Sequence, residues 1–152
     1  MGRPDVTYVI FNQEPRGAPP FEKLAANASR FFNSKLELTR REGDVIVFRL
    51  VTTRPAISAE FRLGCRAPTR DDLMRAREAE ARGRAAGMSA LAEKCRAVWE
   101  LEAAESESPA EIAYLTLAAI CASVGLGPVM PPDGSTLFGV RGAIERRDRA
   151  VG

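Results

Sequence analysis

Apolar and polar positions alternate with two periods along this chain, and the switches between those periods mark out its elements. Val6 to Phe11 is rich in β-branched and aromatic residues, which predicts a first strand over 6–11. The stretch Asn12 to Pro20 consists of turn formers that cannot continue a ladder, and Pro19-Pro20 suits a helix start, where a missing N–H costs nothing. Phe21, Leu24, Ala25, Ala28, Phe31 and Phe32 then recur at steps of three and four, which predicts an amphipathic helix over 20–33.

The period shortens to two at Lys35 to Arg41, where Leu36 and Leu38 oppose Glu37 and Thr39. Glu42-Gly43-Asp44 is a polar break suited to a tight hairpin. Val45 to Thr52 is a nearly continuous apolar strand, as expected of a central position. Beyond the turn at Arg54-Pro55, Ile57, Ala59, Phe61, Leu63 and Cys65 alternate with Ser58, Glu60 and Arg62. The pattern predicts a three-stranded antiparallel meander over 35–65 with one buried and one wet face.

Thr69 can cap the next helix, with Asp72 reaching back to the cap's N–H. Gly83 and Gly87 each cost about 1 kcal/mol in a helix interior, which predicts a break there, with Ser89 able to recap. Met88, Leu91, Cys95, Val98 and Trp99 follow at helical spacing, and Glu102 to Glu107 reads as an acidic linker. Ser108-Pro109-Ala110-Glu111 combines a cap, a proline at the first helical position and a glutamate. The helix it opens carries Ile112, Tyr114, Leu115, Leu117, Ile120, Cys121 and Val124, apolar nearly all round, so it is expected inside a core or against a partner. Gly125 ends it, Pro131-Pro132-Asp133-Gly134 forms a turn, Thr136 to Val140 reads as a last strand and Ile144 to Gly152 as a charged tail.

These elements predict a single α+β domain over 1–143, followed by a tail over 144–152. Its antiparallel sheet of three to four strands is expected to pack one face against helix 20–33 and the C-terminal helices. Strand 6–11 should join this sheet, and 136–140 should pair at an edge.

Composition narrows the chemistry more than the fold. No histidine occurs in the 152 residues, which removes the usual general base and the commonest metal ligand. Cys65, Cys95 and Cys121 lie far apart without a Cys-x-x-Cys, so neither a metal site nor a disulfide framework is expected, and no cofactor is called for. The formal net charge of +2 supplies no global attraction to nucleic acid or an anionic membrane. The chain shows no basic start leading into an apolar run, and Val6 occupies the position where a myristoylation signal needs Ser or Thr. The longest apolar run, Ile112 to Val124, falls short of the ~20 residues that span a bilayer. A cytoplasmic protein with reduced thiols is the expectation.

Four groups of residues remain as candidate sites. Arg75, Arg77, Arg82 and Arg84 form a basic cluster, largely cancelled if Asp71, Glu78 and Glu80 pair four residues onward with Arg75, Arg82 and Arg84. Gly83 to Gly87 resembles an anion loop only in its glycines, because it lacks a Gly-Lys-Ser/Thr ending and a preceding strand. Asp133, Ser135 and Arg141 surround the last turn and strand, where loops often carry function. Trp99, with Phe11, Phe32, Tyr114 and Phe138, supplies interface anchors if exposed; the alternative is that all five belong to the core. These features favour a non-enzymatic, regulatory protein–protein interaction module: an adaptor, or an inhibitor or immunity-like protein, with a protein partner or self-association. The alternative is a small-ligand-binding protein or enzyme with a pocket lined by the 125–141 loop. A further one, disfavoured by the charge balance, is nucleic-acid binding through the arginines of 75–84 and the terminal Arg146, Arg147 and Arg149.

Overall fold

The β-rich stretches pair into one antiparallel sheet in a computed structural model that describes residues 7–104 and 107–151. Elements run β1 (Tyr8–Asn12), α1 (Phe21–Phe31), β2 (Ser34–Glu42), β3 (Val45–Thr53), β4 (Ala56–Arg66), α2 (Arg70–Gly83), α3 (Met88–Glu93), β5 (Ala97–Ala103), α4 (Glu111–Gly125), β6 (Val129–Met130) and α5 (Val140–Val151). The strand order is β2-β3-β4-β5-β1-β6, with every neighbouring pair antiparallel. The α+β class and the antiparallel meander hold. The sheet has six strands among the described residues, however, instead of three to four.

The extra strands arise where periodicity was ambiguous. Leu91, Cys95, Val98 and Trp99 fit a helical stripe, but α3 ends at Glu93 and Ala97–Ala103 is strand β5. Its period-two order is visible once neighbours are known. Trp99 and Leu101 face one core and Val98 the other, while Glu100 and Glu102 reach Arg66 and Arg62 of β4. The acidic residues expected in a linker are therefore strand positions as far as Ala103; Glu105 and Ser106 lie outside the described residues. β6 precedes the place expected for a last strand, and the 136–140 stretch contributes a single bridge, Val129 to Phe138. The expected charged tail is helical as far as Val151, and Gly152 lies outside the described residues. α5 begins at Val140, buries Ala143 and packs Val140 and Ile144 on the core.

Alternation along β1 explains the two cores. Tyr8 and Ile10 point into a large cluster with residues of α1, α4 and α5; Val9 and Phe11 point into a smaller one with α2 and α3. Helices thus cover both faces near β1 and β5. The outer face of β2–β4 stays open, and its charged positions pair: Arg49 with Glu107, and Arg62 with Glu42 and Glu102.

Local signals behaved unevenly. The Thr69 capping box is present, with Asp72 N–H donating to the Thr69 hydroxyl at 3.1 Å and Thr69 N–H to the Asp72 carboxylate at 2.7 Å. Arg84 adopts a left-handed conformation after Gly83, and Gly87 starts α3, so the glycine pair is a helix break. Ser89 does not recap by its side chain; its N–H donates to Glu80 at 3.0 Å. Ser108 does not cap α4, which starts at Glu111 after Ala110 with no side-chain cap. The all-round apolar helix is accounted for inside this chain's own core.

Candidate ligand cavity

The segment after α4 must satisfy its backbone polar groups while crossing from β6 to α5, and it does so with a set of local bonds. Asp133 accepts from Ser135 N–H at 3.0 Å, Gly134 N–H donates to Pro131 at 3.0 Å, and Phe138 exchanges two bonds with Val129. α2 pins the segment from outside, because Arg82 donates to the Gly134 carbonyl at 3.2 Å. Gly83 lies so close to Thr136 that any Cβ there would collide with the threonine side chain. On the other flank, α5 approaches through Gly142, where a Cβ would come within 2.8 Å of Phe138. The 131–138 loop is thus a braced wall.

Behind that wall lies a cavity of about 620 Å³. Tyr8, Leu115 and Phe138 supply ring and aliphatic surface, and Pro131, Pro132 and Thr136 come from the loop. Glu111, Asp133, Ser135, Arg146 and Arg149 bring polar and charged groups to it. The Arg146 guanidinium sits 4.2 Å from the centre of the Phe138 ring, a cation–π contact. Its pKa is lowered by burial and by Arg149, a like charge. Tyr8 stacks on Tyr114 at 5.5 Å, and burial, then Glu111 and Asp133, push its hydroxyl up to about 12. Asp133 is held below the usual carboxylate range by its bonds to Ser135.

The expected site residues separate on this map. Asp133 and Ser135 line the cavity, and Arg82 touches its loop through Gly134. Arg141 does not join them; its side chain is 94% exposed and pairs with Glu145. Arg75, Arg77 and Arg84 are exposed on or after α2, away from the cavity lining. Arg77 pairs with Glu93 at 2.7 Å, and Arg82 with Glu78 at 3.5 Å, whereas Glu80 serves α3 instead of Arg84. Trp99 and Phe11 are fully buried, Phe32 and Phe138 are buried and Tyr114 is half-buried, so the first four rings are core and not surface anchors. Tyr8 and Glu111, which also line the cavity, were not among the candidates, and Arg146 and Arg149 were considered only as part of a basic tail for nucleic acid. Reading 140–151 as a helix would have placed Arg146 and Arg149 on one face, three residues apart.

Chemistry elsewhere in the molecule is subdued. Burial pushes the Cys95 thiol up to about 11 and that of Cys121 to about 12, so neither supplies a thiolate near neutral pH. Among the described residues, no cluster of three or more Cys, Asp or Glu could hold a metal ion, and no helix is long and apolar enough to cross a membrane.

Tyr8 gives a direct test of the cavity's electrostatics. Its pKa is about 10 in the unfolded chain and raised in the fold. The stability it contributes is therefore complete below pH ~10 and lost as pH rises towards 12. Titration of phenolate absorbance should show Tyr8 ionising only with alkaline unfolding, and Tyr8→Phe should abolish that late component. Ionisation of Tyr8 near pH ~10 in the folded protein would refute its buried, acidic setting.

Comparison with family models, curated proteins and solved structures finds no match to this chain.

Proposed function

We propose that the protein is a non-enzymatic binding module that takes a small polar ligand into the cavity behind the 131–138 loop. The observation that carries this reading is the braced loop, which holds Asp133, Ser135 and Thr136 against a volume of about 620 Å³ also lined by Tyr8, Arg146 and Arg149. A concave site with an apolar floor and a few convergent polar groups is how small-ligand sites are generally built. A binding role is favoured over catalysis because the chain has no histidine and its two buried thiols are held protonated. Nuclear magnetic resonance screening of small polar molecules is the test. Hits are expected to shift the amides of Ser135 and Thr136 together with the Tyr8 ring. Hits confined to other surfaces, or none, would sink the proposal.

A second reading, association with a protein partner, draws support from the free edge of β2. That strand is nine residues long and pairs only with β3, and Leu38 on it is 38% exposed. The bulge between Leu38 and Arg40 and the charges Lys35, Glu37, Arg40 and Glu42 weigh against it, since both devices blunt an edge. If β2 is the docking edge, Leu38→Pro should abolish capture of a partner while leaving the cavity's ligand shifts in place. Unchanged capture would dismiss the edge.

A further inference from the structure

The ionisable groups of the cavity are sorted by sign. Arg146 and Arg149 project from one face of α5, whose own ion pairs are Arg141–Glu145 and Arg147–Asp148. Glu111 stands in the first turn of α4 and Asp133 on the loop. Among the described residues no ion pair joins either arginine to either carboxylate, although all four line the same cavity. The electrostatics agree with this sorting. Both carboxylates act on Tyr8, whereas the charges acting on Arg146 are those of Arg149 and Glu145.

Arg146 and Arg149 repel each other, Glu145 offsets this only in part, and Arg146 is also partly desolvated. An anion reaching both guanidiniums would remove that repulsion and form charge-assisted, fork-like hydrogen bonds. Among the described residues no hydrogen bond or ion pair occupies the Arg146 guanidinium, which lies 4.2 Å over the Phe138 ring. A cation between Glu111 and Asp133 would do the same on the acidic side. Leu115, Pro131 and Pro132 offer apolar wall to the carbons that join the two charges.

We propose that the cavity binds a small zwitterion, its carboxylate on Arg146 and Arg149 and its ammonium group between Glu111 and Asp133. The proposal rests on the cavity being a ligand site and adds the ligand's chemistry. It is tested by calorimetric titration of the full chain at low salt with free glycine, γ-aminobutyrate and ε-aminocaproate, which carry the two charges at increasing separation. Butyrate and butylamine are the single-charge controls. One amino acid should bind at least tenfold more tightly than both controls, with an optimum in length. Arg146→Gln combined with Arg149→Gln should weaken it at least tenfold. Should that pair of substitutions disturb folding, the exposed Arg149→Gln alone should still weaken binding severalfold. Equal binding of the controls, undiminished binding by the variants, or no binding of any amino acid overturns the zwitterion. If the resonance screen still returns neutral or singly charged molecules in the cavity, the ligand-binding reading stands and only the zwitterion fails; if it returns none, both fail.

Discussion

Truncating Trp99 to alanine is expected to lower the unfolding free energy by about 3–5 kcal/mol, the range for removing a large buried aromatic. Trp99 is the largest fully buried side chain, and it sits on β5 between Ile10 of β1 and Cys65 of β4. Its loss opens a hole where three strands meet the α4 side of the sheet, leaving little room for neighbours to collapse. For a chain of this size the melting temperature should fall by roughly 10–15 °C. Trp99→Phe separates packing from polarity, because the indole Nε1 is buried with no hydrogen-bond partner. Phenylalanine removes that unsatisfied donor along with some area, so its cost should stay under about 2 kcal/mol. A penalty for Trp99→Phe as large as for Trp99→Ala in chemical denaturation would show that the indole N–H matters more than the volume.

Replacing Asp72 with alanine is expected to cost about 2–3 kcal/mol, since one carboxylate closes the N-terminus of α2 and also anchors that helix to the sheet. It accepts two bonds from Arg66 at 2.6 and 2.8 Å and completes the capping box with Thr69. Arg66 keeps Glu100 at 3.2 Å, which limits the damage. Thermal melting should drop by roughly 5–10 °C at neutral pH. Burial alone would raise the Asp72 pKa, but the bonds from Arg66 and Thr69 outweigh it and hold the group below its usual value. The stabilisation is therefore present above the unfolded carboxylate pKa of about 4 and lost as pH falls through the lower folded value. Wild type and Asp72→Ala should converge in stability under acid. A gap that persists at pH ~2 would contradict the linkage.

What the sequence disclosed depended on whether local pattern and tertiary context agreed. β2, β3 and β4 alternate apolar with polar residues, or form a long apolar run, and their turns carry Gly43 and Pro55, so the meander was readable residue by residue. β5 was not, because Leu91, Cys95, Val98 and Trp99 satisfy helical spacing by coincidence across the end of α3. α5 was hidden by its charge. Only Ala143 is buried on it, and Arg141, Arg146, Arg147 and Arg149 gave the stretch the look of a solvated tail. That misreading carried over to the site. Asp133 and Ser135 were visible through turn chemistry, but Arg146 and Arg149 need a helix to aim them, and Tyr8 and Glu111 reach the cavity from elements remote in the chain. Trp99 could be read as an interface anchor or as a core ring, and its burial is that of a core ring.

The strand order has a bearing on how the molecule comes to be folded. β1 is the earliest described strand, yet its sheet neighbours are β5 and β6, some ninety to one hundred and twenty residues later. During synthesis, Tyr8, Val9, Ile10 and Phe11 have no ladder to enter until the chain has been made past residue 97, whereas β2, β3 and β4 can zip up as consecutive hairpins. Such distant closure slows folding and leaves an apolar segment exposed in the interim. Because Tyr8 also lines the cavity, a nascent chain lacks that cavity while its meander is already in place. If the cavity takes a ligand as proposed, a ligand present during refolding should therefore speed nothing before β1 docks, and should act only by holding the finished sheet closed.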